Sequence, residues 1–485
     1  MSTTTGRPVL AVASECAPLV KTGGLADVAG ALPAALAPQG WAIRTLVPGY
    51  PSVMAALPDA RVLADMPDLL GLPGRVLGAR VGALDILILD VPSLYDRDGT
   101  PYLDVEGRDW PDNDVRFAAL CLAAARIARD GIDGWRPELL HLHDWQAGLV
   151  PVYLEQLGVA CPSVLTIHNI AFHGLTGADR MARLNLSPAR FTVAGFEYFG
   201  KVSALKAGLV GASALNTVSP TYAQELTTDA YGMGLDGVIR MRAADMSGIL
   251  NGIDTDTWDP TCDPAIKPFR RPAGKAANTR ALRQEFDLAD MDGPLAVVVS
   301  RLSDQKGLDL LLAALPAYLA EGGQLALLGS GDTALERDWR AMAAQYPEQV
   351  GVQIGYDEAL SHRMYAGADA VLVPSRFEPC GLTQMYALRY GAIPVVARTG
   401  GLADTVIDAN AAALTAGVAT GILHQSHSVA ALSHALQRLC MLHADTDTFR
   451  RVQKNAMKYP VGWDASAPLY AALYARLADE GKTNS

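Results

Sequence analysis

Short apolar runs rich in β-branched residues alternate with Ala- and Leu-rich segments of helical spacing along almost the whole chain. The apolar runs include residues 9–13, 84–89, 162–167, 295–300, 325–328 and 370–373. Helical spacing is clearest over residues 115–129 and 308–319. Continuous apolar strands that alternate with helices indicate parallel sheets covered on both faces. The pattern therefore predicts an α/β fold, and 485 residues suffice for two or three domains.

A candidate domain boundary lies near residue 250. Four prolines, Pro260, Pro264, Pro268 and Pro272, follow among charged residues, and a new strand-helix series starts at Leu295. Pro-rich polar segments more often connect domains than build cores. The alternative is a long surface loop within one domain.

Charge and cysteine usage exclude several classes of protein. The chain has 40 Lys plus Arg against 51 Asp plus Glu, a net charge of -11. No basic face for nucleic acid or an anionic membrane is expected, and no run of about 18 apolar residues predicts a membrane span. The six cysteines are scattered, which favours reduced thiols in the cytoplasm over disulfides or a zinc site.

One motif occurs twice. The segment K-T-G-G-L-A-D occupies residues 21–27, and R-T-G-G-L-A-D occupies residues 398–404. Each copy follows a predicted strand, and the first opens a helix over residues 25–36. Glycine pairs at a helix start leave backbone N–H groups free for an anion. Two such turns suggest two similar lobes with phosphate-type loops; chance similarity of glycine-rich turns is the alternative.

Polar clusters follow further strands of the second half. Arg301 and Lys306 follow the strand at 295–300, where an arginine fork and a lysine point charge suit a pyrophosphate. Glu378 and Cys380 follow the strand at 370–373. The Gly329-Ser330-Gly331 turn has Ala334 where a dinucleotide fingerprint needs glycine, which disfavours a dehydrogenase.

In the first half, His141, His143 and Asp144 follow one strand, and His168 ends another. A His-Asp metal site lacks a third ligand of matching spacing, so no metal is predicted. A lone histidine is usually structural, but two polar clusters at strand ends of one sheet favour a site. A G-x-S-x-G elbow is absent, which disfavours an α/β-hydrolase.

Taken together, six motifs resemble bacterial glycogen synthases, a family shared with plastid starch synthases. They read K-T-G-G-L-A-D-V, H-D-W-Q-A-G, T-I-H-N-I-A-F-H-G, L-N-G-I-D, S-R-L-x-x-Q-K-G and S-R-F-E-P-C-G-L-T-Q. The resemblance implies the GT-B fold, with two facing Rossmann-like domains and a deep interdomain cleft. It places the first domain at residues 1–247, the nucleotide-sugar domain at 248–461, and a helix that crosses back at 462–485.

The resemblance also implies retaining transfer of glucose from ADP-glucose to the non-reducing end of an α-1,4-glucan such as glycogen, without a cofactor. A UDP-sugar transferase and a non-catalytic glucan-binding protein are the alternatives. The implied partners are the sugar nucleotide and the glucan, and the chain could act as a monomer or homo-oligomer.

Residue roles carry over motif by motif. The resemblance implies catalytic roles for Arg301, Lys306, Glu378 and His168. It implies contacts with the donor for Lys21, Gly23, Gly24, Asn251, Tyr356, Cys380, Gly381 and Leu382, with Tyr356 stacking on adenine. Asp27 and Asp144 would serve the acceptor side or the cleft wall.

The chain departs from the wider retaining-transferase pattern at Tyr386, where many relatives have a second glutamate. No residue of the motifs is an obvious nucleophile, so front-side displacement ranks above a double displacement through a carboxylate.

Overall fold

The computed structural model describes residues 6–483, so residues 1–5 and 484–485 of the predicted domains lie outside the described part. The chain divides into two compact units. Unit 1 comprises Met1–Gly252 and Trp463–Ser485, and unit 2 comprises Ile253–Gly462. The predicted limits at 247 and 461 lie within a few residues of these. Both units are α/β, as the alternating pattern predicts.

Unit 1 has a long sheet and a small antiparallel sheet. Its strands are β1 (Arg7–Val12), β2 (Trp41–Pro48), β3 (Arg61–Leu69), β4 (Leu72–Val81), β5 (Leu84–Asp90), β6 (Leu139–His143), β7 (Ser163–Ile167), β8 (Leu175–Gly177), β9 (Glu197–Tyr198), β10 (Lys201–Ser203), β11 (Ala214–Thr217) and β12 (Met246–Gly248). The long sheet has the order β12-β11-β7-β6-β1-β2-β5-β4-β3, and β8, β10 and β9 form the small sheet.

Seven neighbouring strands of the long sheet, from β12 to β5, pair in parallel, whereas near one edge β4 pairs antiparallel with both β5 and β3. The parallel strands β6 and β7 are buried along their full length, which is the burial that their apolar runs predict. The helices of this part are α1 (Gly24–Leu36), α2 (Pro51–Ala56), α3 (Pro92–Tyr95), α4 (Asn113–Asp130), α5 (Val150–Gln156), α6 (Ala204–Gly211), α7 (Pro220–Glu225) and α8 (Asp236–Met241).

Unit 2 contains one fully parallel sheet. Its strands are β13 (Leu295–Val299), β14 (Gln324–Gly329), β15 (Val350–Ile354), β16 (Ala370–Val373), β17 (Ile393–Ala397) and β18 (Ile422–His424), in the order β15-β14-β13-β16-β17-β18. This is the doubly wound order in which the chain starts at the centre, builds one half, and then returns to build the other.

Helices cover the sheet of unit 2. They are α9 (Ala276–Glu285), α10 (Leu308–Ala320), α11 (Thr333–Gln345), α12 (Glu358–Gly367), α13 (Thr383–Tyr390), α14 (Gly400–Thr405), α15 (Ala411–Ala416), α16 (Val429–Ala444) and α17 (Thr446–Ala456). The core lies between sheet and helices, where Leu311 and Leu315 of α10 and Leu436 of α16 pack with Val298 and Leu327 of the strands.

The Pro-rich stretch after residue 253 packs onto unit 2. Trp258 stacks between the rings of His362 and Tyr386, with centroids 3.8 Å from each. The buried carboxylate of Asp263 accepts a hydrogen bond from His362 Nδ1 at 2.7 Å. Tyr386 therefore serves packing in unit 2.

The last helix, α18 (Ala467–Thr483), belongs to unit 1. Its buried Tyr470, Tyr474 and Leu477 join Leu32 of α1 in one hydrophobic cluster. The ring of Trp41 meets Tyr474 edge-on at 5.3 Å. Helix α18 thus contributes to the core of unit 1.

Candidate active site

In unit 2 the strand order reverses between β13 and β16, which are hydrogen-bonded neighbours. Residues 300–307 follow β13, and residues 374–382 follow β16. Ligands of open α/β sheets bind at the carboxyl ends of the strands where the order reverses. The fold therefore brings together the loops that carry Arg301, Lys306 and Glu378.

Lys306 and Glu378 form an ion pair between these loops. The Nζ of Lys306 lies 2.6 Å from Oε2 of Glu378, and the Ser375 hydroxyl donates to the same oxygen at 2.9 Å. Glu378 is buried, whereas a fifth of the Lys306 side chain stays exposed. An ammonium group has three donors, so Lys306 can hold Glu378 and also meet a ligand oxygen.

Arg376 fastens the two loops to each other. Its guanidinium donates to both carboxylate oxygens of Asp309, at 2.8 and 2.7 Å, and to the carbonyl oxygen of Asp304 at 2.6 Å. Its backbone N–H donates to the carbonyl of Gln305 at 2.8 Å. Hydrogen bonding to Arg376 lowers the pKa of Asp309, and the same contact raises the pKa of Arg376. The shape of residues 301–307 is thus fixed by the protein itself.

The second glycine loop supports the Glu378 loop. The N–H of Gly401 donates to the carbonyls of Glu378 and Pro379, at 3.2 and 3.1 Å. A Cβ on Gly400 would lie 2.0 Å from the carbonyl oxygen of Glu378, and one on Gly401 would lie 2.3 Å from that of Cys380. Both positions need glycine because another backbone segment packs against them. The N–H of Gly401 serves this packing.

Residues 380–382 form a fixed turn before α13. Cys380 is buried, and Gly381 has a left-handed φ of +73°. The side-chain amide of Gln384 donates to the carbonyls of Cys380 and Gly381, each at 3.0 Å. Gly381 and Leu382 remain partly exposed. Their contact with glucose and the distal phosphate stays a prediction.

Arg301 and Tyr356 lie at the same edge of the sheet. Arg301 is exposed directly after β13, and Tyr356 follows β15 with 78% of its surface exposed. The Tyr356 hydroxyl donates to Glu358 at 3.1 Å. An exposed aromatic ring at the carboxyl ends of the strands is a suitable platform for a planar base. Stacking on adenine stays a prediction.

In unit 1 the strand order reverses between β1 and β6. The segment after β1 carries Lys21, the residue after β6 is Asp144, and the residue after β7 is His168. Lys21 lies more than a hundred residues before Asp144 and His168 in the chain, but all three follow neighbouring strands of the sheet.

The glycine loop of unit 1 is already bound to a carboxylate of the chain. Oε2 of Glu15 accepts the N–H groups of Thr22 and Gly23, the latter at 3.3 Å. Oε1 accepts the hydroxyl of Thr22 at 2.7 Å and that of Tyr102. The sequence predicts that free N–H groups of this loop bind a ligand anion. In the structure Glu15 uses the N–H groups of Thr22 and Gly23.

Lys21 pairs with Asp27 on the first turn of α1, with Nζ 2.7 Å from Oδ1. The side chains are 41% and 27% exposed, so the pair orients Lys21 more than it stabilises the fold. Gly24 begins the helix. Donor contacts of Lys21, Gly23 and Gly24, and an acceptor role for Asp27, stay predictions.

Asp144 fixes the turn that carries His168. It is buried in a left-handed conformation with φ +56°, and its Oδ1 accepts the N–H groups of His168 at 2.6 Å and Asn169 at 3.3 Å. Burial raises the pKa of Asp144 to about 7, although the two N–H groups act in the opposite direction. The carboxyl group can therefore change protonation near neutral pH.

His168 is held by a second histidine. Its Nε2 lies 2.9 Å from Nδ1 of His143. Burial lowers the pKa of His143 to about 3 and that of His168 well below its usual value, so both rings are neutral at pH 7. His141 is occupied elsewhere, by Tyr474 at 2.6 Å and Thr166 at 2.7 Å. Because His143 occupies Nε2 of His168, Nδ1 is the nitrogen of His168 that can contact a substrate.

Asn251, near the end of the first segment of unit 1, is buried, and its Oδ1 has no hydrogen-bond partner within residues 6–483. Buried amide oxygens are normally paired, so such an atom suits contact with a ligand hydroxyl. The predicted sugar contact is consistent with this environment.

Sequence reasoning missed four residues of these sites: Glu15, His143, Asp309 and Arg376. His143 stands in a noted cluster but has no assigned role. Glu15 follows the apolar run at residues 9–13 and has no role assigned from the sequence. An acidic residue between a strand and a glycine loop is a usable signal, because a nearby carboxylate competes with a ligand for the loop N–H groups.

Within residues 6–483, no helix is long and apolar enough to cross a membrane. The same residues contain no group of three or more His, Cys, Asp or Glu side chains arranged to hold a metal ion.

Two family models match the chain. The starch synthase catalytic domain matches residues 8–241, and glycosyl transferases group 1 matches residues 280–458. Among solved structures, the catalytic domain of starch synthase IV from Arabidopsis thaliana is 30% identical with a TM-score of 0.86, covering 98% of this chain and 100% of that one. Sucrose-phosphate synthase from Thermosynechococcus elongatus shares the fold, at 20% identity and a TM-score of 0.60, with 98% and 100% covered.

Curated relatives match over nearly the full length. The glycogen synthase of Paracoccus denitrificans is 58% identical over 97% of this chain and 99% of its own. That of Jannaschia sp. is 56% identical over the same shares. With these relatives, the two family models and the two-domain α/β architecture, the chain belongs to the glycogen synthase family of GT-B glycosyltransferases.

Proposed function

We propose that the chain transfers the glucosyl unit of ADP-glucose to the non-reducing end of an α-1,4-glucan with retention at the anomeric carbon. The bond between the anomeric carbon and the diphosphate breaks, and a bond to the 4-hydroxyl of the glucan forms on the same face. The hydroxyl proton passes to the departing phosphate oxygen, so ADP is released. The Arabidopsis starch synthase domain was solved bound to ADP and acarbose, which supports an adenine nucleotide and a glucan-like ligand.

The observation that carries the proposal is the ion pair between Lys306 and Glu378 at the strand reversal of unit 2. Charge develops on the leaving diphosphate, and Lys306 would meet it from a fixed position with Arg301 beside it. Donors that are already oriented stabilise such charge without reorganisation. Glu378, held by Lys306 and Ser375, would accept hydrogen bonds from glucose hydroxyls.

The groups of unit 1 would act on the sugar and the acceptor. His168 would offer Nδ1 to the glucosyl ring, since His143 occupies its Nε2. Asp144 holds the turn of His168 and has a pKa near neutrality. Lys21 would add a positive charge near the donor phosphates.

Front-side displacement ranks above a double displacement because no residue of the motifs is an obvious nucleophile. Glu378 contacts Lys306, Asp27 contacts Lys21, and Asp144 accepts two backbone N–H groups, in each case through one carboxylate oxygen. A glucosyl-enzyme trapped on any of these residues would reverse the ranking.

The decisive experiment measures nucleotide release with glycogen and either ADP-glucose or UDP-glucose. Release from ADP-glucose with growth of the glucan supports the proposal, and NMR of the new linkage checks retention. Preference for UDP-glucose would change the identity of the donor and leave the rest of the proposal intact. No release from either sugar nucleotide would refute transfer to glycogen. Scattered cysteines favour a reducing compartment, so we place the reaction in the cytoplasm.

A further inference from the structure

We propose that Glu15 is a positioning residue that holds the glycine loop of unit 1 and, through it, Lys21. The inference rests on the proposed function, in which Lys21 meets the donor. Glu15 touches neither Lys21 nor, in this proposal, the substrate; it sets the backbone from which Lys21 projects.

Both carboxylate oxygens of Glu15 accept hydrogen bonds from the loop. One oxygen accepts the backbone N–H groups of Thr22 and Gly23, and the other accepts the Thr22 hydroxyl at 2.7 Å. Glu15 is 3% exposed, so water competes little for these donors. A carboxylate accepts several hydrogen bonds at once, and such charge-assisted bonds are stronger than neutral ones.

A second segment of unit 1 holds Glu15 from another side. The hydroxyl of Tyr102 donates to Oε1 of Glu15 and lies 2.8 Å from the Ser14 hydroxyl. Burial and the neighbouring Glu15 raise the pKa of Tyr102 well above its usual value, so the phenol stays a donor. The rotamer of Glu15 is thereby fixed before any ligand arrives.

Among the described residues, the hydrogen bonds of the Thr22 and Gly23 N–H groups go to Glu15. Gly23 precedes α1 in an extended conformation, and as glycine it offers no side chain to cap the helix. A Cβ built on Gly23 would meet no atom within 4 Å. The loop therefore depends on Glu15 for its conformation at Thr22 and Gly23, the residues directly after Lys21.

Exchange of the carboxylate for an amide isolates this effect. In Glu15→Gln the side chain keeps its shape but loses its charge. If its oxygen accepts the N–H groups of Thr22 and Gly23, its NH₂ group faces the hydroxyls of Thr22 and Tyr102, which must both turn to accept. The charge-assisted bonds that hold the loop are then replaced by weaker neutral ones. We expect the loop, and Lys21 with it, to be held less firmly.

The test compares Glu15→Gln, Lys21→Ala and the double variant in the release of ADP from ADP-glucose with glycogen. We expect Glu15→Gln to lower kcat/KM for ADP-glucose by about ten- to a hundredfold, as loss of an outer-shell partner commonly does. The kcat/KM of the double variant should lie no more than about threefold below that of the less active single variant, because the effects of groups that act as a unit are not additive. Glu138→Gln, which weakens the ion pair with Arg7 just before β6, at the end of that strand opposite to Asp144, should stay within about twofold.

Two results would overturn the proposal. One is an unchanged kcat/KM in Glu15→Gln. The other is a fold-loss of kcat/KM in the double variant that equals the product of the fold-losses of the two single variants. If Glu15→Gln does not fold, Thr22→Val removes the 2.7 Å contact alone and should give a smaller loss, again non-additive with Lys21→Ala. An unchanged kcat/KM in Thr22→Val, or a loss that is additive with that of Lys21→Ala, contradicts a positioning role for Glu15. Wild-type protein that releases no ADP would refute the proposed function first, and the role of Glu15 with it.

Discussion

Nζ of Lys306 lies 2.6 Å from Oε2 of Glu378, although 72 residues separate them in sequence. The pair exists because β13 and β16 are adjacent, so that the loop after each strand begins at the same point of the sheet. Glu378 orients Lys306, and Lys306 neutralises a buried carboxylate. If the proposed function is right, catalysis and local stability therefore depend on the same contact.

Replacement of Lys306 by Ala should lower kcat by about 10²- to 10³-fold, the usual effect of losing one preorganised group that stabilises developing charge. It should also destabilise unit 2, since Glu378 would remain buried and, within residues 6–483, would keep only Ser375 as a hydrogen-bond partner of that oxygen. Steady-state kinetics and thermal unfolding measure the two effects. A Lys306→Ala enzyme within a few-fold of wild type would contradict the role of Lys306.

Gly23 and Gly401 should respond oppositely to alanine. A Cβ on Gly23 would meet nothing within 4 Å, and its φ of −159° suits any residue, so Gly23→Ala should cost no more than about 1 kcal/mol of stability. If the donor approaches this loop, the added methyl group should raise KM for ADP-glucose about tenfold or more. Gly401→Ala would place Cβ 2.3 Å from the Cys380 carbonyl oxygen and should cost about 1–3 kcal/mol.

Thermal unfolding separates the two variants, and donor kinetics then test Gly23. An unchanged KM in a stable Gly23→Ala protein would show that no ligand comes within a methyl radius of Gly23. An undiminished melting temperature in Gly401→Ala would contradict the close packing of the second glycine loop on the Glu378 loop.

The sequence predicts the elements well where the signal is local. The apolar run at 370–373 is β16, the helical spacing from 308 to 319 falls within α10 (Leu308–Ala320), and the loop at 21–24 opens α1. These depend on periodicity and on turn residues that are neighbours in the chain. The order of the strands is a different matter, because it depends on pairing between segments far apart. The reversals beside β1 and β13 could not be read from any one motif.

The same limit applies to the sites. Arg301, Lys306 and Glu378 stand in recognisable motifs, and the resemblance to a known family assigned their roles. Glu15, by contrast, acts on a glycine loop whose N–H groups were expected to be free. The motif marks a turn that can bind an anion, but only the fold shows that the anion is a side chain of the same chain. Likewise, the second glycine pair serves backbone packing that no spacing indicates.

His143 should determine which nitrogen of His168 meets the sugar. His143→Phe removes the partner at 2.9 Å and leaves a buried Nε2 unpaired, which costs about 1–3 kcal/mol and should lower kcat about tenfold or more. His143→Asn keeps an amide near the position of Nδ1 and should recover part of the loss. If both variants lose kcat equally while their melting temperatures fall together, His143 has only a packing role. Retention of full kcat in His143→Phe would contradict the orientation of His168 by this residue.

The buried Lys275 should make the stability of unit 2 depend on alkaline pH. Its ammonium donates to the carbonyls of Tyr365 and Tyr390, at 3.0 and 2.8 Å, and to no carboxylate of the described residues. Burial lowers the pKa of Lys275 to about 7, whereas the unfolded side chain titrates near 10.5. Between these values the unfolded chain binds more protons, so the free energy of unfolding should rise with pH, by up to about 1.4 kcal/mol per unit. Below pH 7 both states are protonated and the slope should vanish. Denaturant unfolding of wild type and Lys275→Met from pH 6 to 10 tests this difference. Lys275→Met has no titrating group at this position, so the contribution of Lys275 to the rise in the free energy of unfolding above pH 7 should be missing. If the free energy of unfolding of the two proteins changes with pH in parallel, Lys275 keeps its ordinary pKa in the fold.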